Sequence, residues 1–362
     1  FMGTKPTDLA RLRDLLREGQ VIAQYLLLEE TGYVFLIGRE RIDVRELSVG
    51  RTKLAPLIRN YRMTLQGHSV CLDSVRGGNP DDDRRGEMSE AGCSRKTADP
   101  APLALELARL LLKPLANALK EARHVTLVPN GPLHGLPFAA LPLEGRPLVE
   151  RFILNYLGSA SQLSVVTHPR MISHGATSLA LAVPQAPGWR ALLNVVPEVE
   201  ALRQQLPDAE ILIGPQATKS ALKGRNLTGR PLHLATHAIA SNLETTRLAL
   251  TDGDFHLTEV WGLDLAGSPR VVLSACETAL GEHLRGDDVV SLANGFLAAG
   301  ARSVVASLWE VPDAATRRLM AAFYSHLAQG KETIVALALA QREMIASGQP
   351  SMAWAAFVVT GQ

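Results

Sequence analysis

Two residues combine a reactive side chain with a position that can put it to work. His237 closes the apolar run LHLATHA (232–238), and Cys276 closes the run RVVLSAC (270–276), 39 residues later. Both runs are apolar and β-branched enough to be central strands. In an open α/β sheet the functional groups collect beyond the carboxyl ends of the strands, where strand order switches. If these two strands are neighbours, the imidazole and the thiol project into one crevice. The imidazole would raise the thiolate fraction and later protonate the leaving amine. The backbone N–H groups of Ala238 and Cys276 are placed to hold the oxyanion of a tetrahedral intermediate. Each residue also has a plainer reading: a buried structural thiol for Cys276, and a strand-end imidazole held by a backbone carbonyl for His237.

Competing chemistries lose support on spacing. His233 and His237 are four residues apart on a strand, roughly 13 Å, too far to share a metal ion. The three cysteines, Cys71, Cys93 and Cys276, contain no C-x-x-C pair. Their odd number precludes full pairing within one chain and fits a reducing, cytoplasmic setting. GPQATKS (214–220) lacks the second glycine of a phosphate loop, and no G-x-S-x-G elbow is present. No metal or other cofactor is therefore expected. With 37 basic and 36 acidic residues in 362, a direct nucleic-acid partner is not expected either. No uninterrupted apolar run of ~18 residues suggests a membrane span, and the first thirty residues do not read as a secretory signal.

The elements that must position the two residues follow from periodicity. Residues 5–18 read as a short amphipathic helix, and 21–28, 33–38 and 42–47 as an antiparallel meander. A helix over 52–65, a leucine-striped helix over 102–122 and a buried strand over 124–129 follow. From about residue 178 strands alternate with helices, the pattern of an open, mostly parallel sheet covered on both faces. In that region 287–300 reads as a helix with Val289, Leu292, Ala293 and Phe296 on one face, and Trp309 and Trp354 read as core. The stretch 66–100 breaks the pattern. Its five glycines, two prolines and many charges leave too little apolar surface to offset its ordering entropy, so it reads as a disordered insertion. A sharper reading makes it a processing loop, with Arg84-Arg85 or the Asp81–Asp83 run as the cut site.

The segments HLATHA, LSACETALGEHLRGDD, FLAAGARSVVASLWEVPDAAT, FYSHLAQGK and WAAFVVTG together resemble the CHAT domain, a family of the caspase-like, separase-like cysteine peptidases. The likeness extends upstream through VPNGPLHGLPFAALP to about residue 102. It implies a caspase-hemoglobinase fold, with His237 as the catalytic histidine and Cys276 as the nucleophile. It further implies a degenerate pseudo-caspase half over 4–170 before a catalytic half over 171–362. The resemblance implies a regulated endopeptidase acting on a protein partner, under an activating protease or regulatory protein, in bacterial defence or a cell-death-like pathway. The alternative is a catalytically silent caspase-fold interaction module. Two features depart from the pattern. Caspase-like enzymes most often follow the histidine with glycine, whereas Ala238 stands here; alanine keeps the N–H. There is also no 34-residue helical period of the tetratricopeptide kind that many relatives carry.

Acidic residues beyond the nucleophile raise a specificity question. Glu277, Asp287 or Asp288 could line a pocket for a basic substrate side chain. The plainer role for Asp287 is to cap the helix that follows.

Overall fold

The computed structural model describes residues 8–67, 99–167, 177–240, 242–275, 282–283 and 289–362. In chain order the strands that organise it are β1 (Gln20–Leu27), β2 (Gly32–Ile37), β3 (Ile42–Leu47), β4 (His124–Val128), β5 (Ile153–Tyr156), β6 (Leu179–Ala182), β7 (Glu210–Ile213), β8 (Leu232–Ala235), β9 (Ala238–Ile239), β10 (Arg247–Leu250), β11 (Gly253–His256), β12 (Val271–Ser274), β13 (Ser303–Ser307) and β14 (Phe357–Gly361). The main helices are α1 (Leu9–Asp14), α2 (Arg51–Leu65), α3 (Ala101–Leu111), α4 (Val195–Gln205), α5 (Leu292–Ala298), α6 (Asp313–Ala328) and α7 (Thr333–Ala346).

Eleven strands form one sheet in the order β3-β2-β1-β4-β5-β14-β13-β12-β8-β6-β7. The meander β1–β2–β3 is antiparallel. Strands β1, β4, β5 and β14 run parallel to one another, and so do β13, β12, β8, β6 and β7. The two sets meet antiparallel at β13–β14. Each set is thus a parallel block needing helical cover on both faces, which explains the continuous rather than alternating apolarity of its strands. Along β8, Leu232 and Leu234 join the core on one face with Phe255 and Phe296. Ala235 joins the core on the other, with Phe323 and Leu337. Val271, Val272 and Leu273 of β12 are fully buried, and at about 1.5–3 kcal/mol per large apolar side chain they anchor that strand firmly.

Two helices differ from the sequence expectation. The leucine-striped segment leaves α-helix at Leu111 and tightens into a 3₁₀ turn at Lys113–Leu115. Pro114 has no N–H to give to Leu110 and disfavours helix at the residue before it. Helix α5 begins only at Leu292, because Ser291 is extended and accepts the Asn294 N–H at 3.2 Å. Val289–Val290 instead pair antiparallel with Glu282–His283. The cap is therefore Ser291 rather than Asp287. Gly300 ends the turn into β13 at φ +113°, where an added Cβ would lie 2.9 Å from the Ala266 backbone nitrogen. Trp309 and Trp354 are buried, their indole N–H groups donating to the Met352 and Gln349 carbonyls. Among the described residues no helix is long and apolar enough to cross a membrane.

A buried polar cluster ties the first block, β1, β4, β5 and β14, together. Asn155 on β5 accepts hydrogen bonds from His124 Nε2 and Thr126 Oγ1, both at 2.8 Å, and donates to the Gly361 carbonyl of β14. Burial is the largest influence on His124 and holds its imidazole below the ordinary histidine range, with the Asn155 contact opposing in part. An unfolded histidine takes its proton near pH ~6.5, so below that pH the unfolded chain binds more protons than the folded one. The stability this ring contributes is complete above pH ~6.5 and shrinks as pH falls towards the folded value. Urea midpoints measured between pH 7.5 and 5.5 should fall more steeply for the wild type than for His124→Gln.

Candidate active site

Strand β8 lies directly between β6 and β12. After β6 the chain moves out to β7 and returns on the other side of β6 as β8. The carboxyl ends of β6 and β8 therefore form a switch point, the expected place for a site in such a sheet. The β8–β12 register pairs Ala235 with Ser274, and the Thr236 N–H donates to the Ser274 carbonyl at 3.3 Å. His237 stands two residues beyond Ala235, and Cys276 two residues beyond Ser274. The neighbouring strands thus end level. Cys276 itself lies outside the described residues. Its predecessor Ala275 is held by the Ser307 hydroxyl of β13, which donates to the Ala275 carbonyl at 2.7 Å.

Its environment defines the chemistry of His237. The residue is 6% exposed. Its Nε2 lies 2.8 Å from the Arg190 carbonyl, on the loop that follows β6. A carbonyl only accepts, so Nε2 carries the hydrogen and, in the neutral ring, Nδ1 keeps the lone pair. A backbone carbonyl does hold this imidazole, and in doing so it leaves Nδ1 as the basic nitrogen. The Trp189 indole stacks on the ring with centroids 5.1 Å apart and planes 19° apart. The Arg190 side chain forms an ion pair with Glu310, beyond β13.

Beyond His237 the chain turns into the small sheet β9-β10-β11. Ala238 pairs with Leu248 while the Ala249 N–H donates to the His237 carbonyl at 2.9 Å. That pattern makes 238/248 a non-hydrogen-bonded pair, which turns the Ala238 N–H away from β10. LHLATHA is thus not one strand to its end: pairing with β12 stops at Ala235, and Ala238 belongs to the second sheet.

Beneath the strand ends lies a buried polar chain. The Tyr324 hydroxyl of α6 is 2.8 Å from His233 Nδ1. His233 Nε2 faces Glu198 Oε1 of α4 at 3.2 Å, close enough for attraction but too bent for a hydrogen bond. The Ser274 hydroxyl donates to Glu198 Oε2 at 3.0 Å. Tyr324, His233 and Glu198 are 3, 2 and 5% exposed. Burial, aided by the Glu198 charge and opposed by Arg270, pushes the Tyr324 phenol well above its ordinary range. The phenol therefore stays protonated and can donate to Nδ1, leaving Nε2–H towards the carboxylate. His233 and His237 face different surroundings, in line with their spacing. A crevice lined by Glu198, Thr236, Ser274, Ala275, Ser307 and Phe357 opens between the residues that immediately precede His237 and Cys276. Among the described residues no group of three or more His, Cys, Asp or Glu could hold a metal ion.

Glu277, Asp287 and Asp288, and the insertion residues Arg84 and Arg85, lie outside the described residues. Trp189, Arg190 and Glu198 are site residues that sequence patterning did not single out. Glu198 had a readable signal. Val195, Val199 and Leu202 form the buried stripe of α4, and Glu198 shares that stripe, where a charge needs a partner.

The model of the CHAT domain matches residues 101–362. The chain belongs to the CHAT domain family. Over 316 residues it is 28% identical to tetratricopeptide repeat protein 28 of Mus musculus, and over 315 residues 26% identical to the protein of that name from Homo sapiens. Each match covers 70% of this CHAT chain and 13% of the relative, so the chain spans only a small part of those proteins. Among solved structures, separase in the Saccharomyces cerevisiae separase-securin complex superposes with a TM-score of 0.60 at 10% identity, covering 98% of this chain and 30% of that one. That likeness shows the fold: a caspase-like α/β architecture with a large, mostly parallel sheet.

Proposed function

We propose that this CHAT protein is a cysteine endopeptidase that cleaves a protein partner through His237 and Cys276. The observation that carries the reading is the level ending of neighbouring strands β8 and β12 beside a histidine whose Nε2 is held by a carbonyl. In the proposed reaction His237 Nδ1 takes the Cys276 thiol proton and the thiolate attacks the scissile carbonyl carbon. The N–H groups of Ala238 and Cys276 hold the resulting oxyanion. The C–N bond then breaks, and the His237 proton leaves on the amine product. Water, deprotonated by the same nitrogen, hydrolyses the thioester and restores the thiol.

The wider proposal keeps this activity in a reducing cytoplasm within a bacterial defence or cell-death-like pathway. Residues 4–170 act as the degenerate half and 171–362 as the catalytic half. Cleavage at Arg84-Arg85, by an activating protease or by the protein itself, is the proposed regulatory step, and Glu277, Asp287 and Asp288 are proposed pocket residues. Mass-spectrometric mapping of products from a peptide library, with the wild type and Cys276→Ala in parallel, tests the reading. Wild-type products sharing one residue before the cut, absent from the variant, are expected. No wild-type products, together with a Cys276 inert to iodoacetamide at neutral pH, would leave the protein as a caspase-fold interaction module.

A further inference from the structure

The imidazole of His237 is contacted on its face as well as at Nε2. Trp189 lies nearly parallel to it at 5.1 Å, a geometry that presents the electron-rich indole face to the ring. The indole is itself held by two charged residues of the β10–β11 hairpin. Its Nε1–H donates to Asp254 Oδ1 at 3.2 Å. The Arg247 guanidinium carbon lies 5.9 Å from the indole centroid, and Arg247 Nε meets Asp254 Oδ2 at 2.7 Å. The charged side chains around the stack are thus paired with each other: Arg247 with Asp254, and Arg190 with Glu310. No net cation in these pairs opposes a second positive charge on His237.

We propose that Trp189 is a positioning residue for His237, its indole face fixing the imidazole plane and stabilising the imidazolium formed during proton transfer. Asp254 and Arg247 hold the indole in turn. The catalytic part of this inference rests on the peptidase reading; the stacking part does not. A cation over an indole face is attracted by the ring quadrupole, and a ring clamped on its face and at Nε2 holds Nδ1 in one fixed direction. Three roles then converge on one loop. The β6–α4 connection supplies the carbonyl that sets the tautomer, the ring that sets the plane, and Arg190 as a tie to the loop beyond β13.

The stack offers a readout independent of catalysis, because a protonated imidazole quenches indole fluorescence on contact. Acidification from pH 8 to 5 should produce a quenching step in the wild type that is absent from both His237→Gln and Trp189→Phe. In peptide cleavage, Trp189→Leu should lower kcat on the order of tenfold with KM within about twofold. Trp189→Phe should recover most of that loss, and Asp254→Asn should fall between. A quenching step that persists in folded Trp189→Phe overturns the inference, as does a Trp189→Leu protein with unchanged kcat. Were the wild type to cleave no peptide, the peptidase reading would fail alone, and the fluorescence step would still decide the stacking.

Discussion

Replacing Cys276 by alanine should lower kcat/KM for any cleaved peptide by about a thousandfold or more, and His237→Gln should cost a comparable amount. Alanine removes the atom that forms the thioester. Glutamine keeps an Nε2-type donor for the Arg190 carbonyl but removes the Nδ1 base that faces away from it. Because the two side chains act as one unit, their losses will not add, and the double variant should be no slower than the worse single variant. Ala238 gives a graded contrast. Its contribution is a backbone N–H turned out of the β9–β10 ladder, so Ala238→Gly should leave turnover within a few-fold, whereas Ala238→Pro, which deletes the N–H, should cost about a hundredfold. Cleavage by Cys276→Ala equal to that of the wild type would overturn the mechanism, whatever the peptide.

The strands that precede His237 and Cys276 were legible from local composition alone. The strands Leu232–Ala235 and Val271–Ser274 are built mainly of Leu, Val and Ala, and a buried parallel strand announces itself by continuous apolarity without knowledge of its partners. The meander was equally plain, since turn residues separate three short apolar runs. What local pattern could not give is what depends on a partner far along the chain. Helix α5 begins five residues later than the 287–300 reading because Val289–Val290 pair with Glu282–His283. LHLATHA divides between two sheets because Ala238 finds Leu248. Trp189 sits in the segment PQAPGWR, which reads as a loop and gives no hint that its indole meets a histidine 48 residues away. Glu198 lay between these cases. Its place on the apolar stripe of α4 was visible, but its partners His233 and Ser274 come from two different strands.

Those partners make Glu198 the residue whose loss should be felt most in stability. Removing the acceptor from a buried polar group leaves that group desolvated and unmatched, at a typical cost of about 1–3 kcal/mol. Glu198→Ala leaves the buried Ser274 hydroxyl without its acceptor and removes the carboxylate that His233 Nε2 faces, and it also opens a cavity. A loss of about 3 kcal/mol in urea unfolding is expected. Glu198→Gln, which keeps an acceptor for Ser274, should cost roughly half of that. The pairwise terms are separable by a double-mutant cycle with His233→Phe: if the 3.2 Å contact matters, the double variant should be less destabilised than the sum of the single ones. Carrying the logic through, Glu198→Leu combined with His233→Phe and Ser274→Ala removes every member of the chain except Tyr324. It should regain much of the lost stability, because an apolar replacement strands fewer groups than a broken pair. Stability and turnover should then part company. Ser274 is the last residue of β12 and lies two residues before Cys276, so a variant that folds as well as the wild type but no longer ties that strand end to α4 should cleave more slowly. Full recovery of both properties would mean that the polar chain stabilises the fold without aligning the nucleophile.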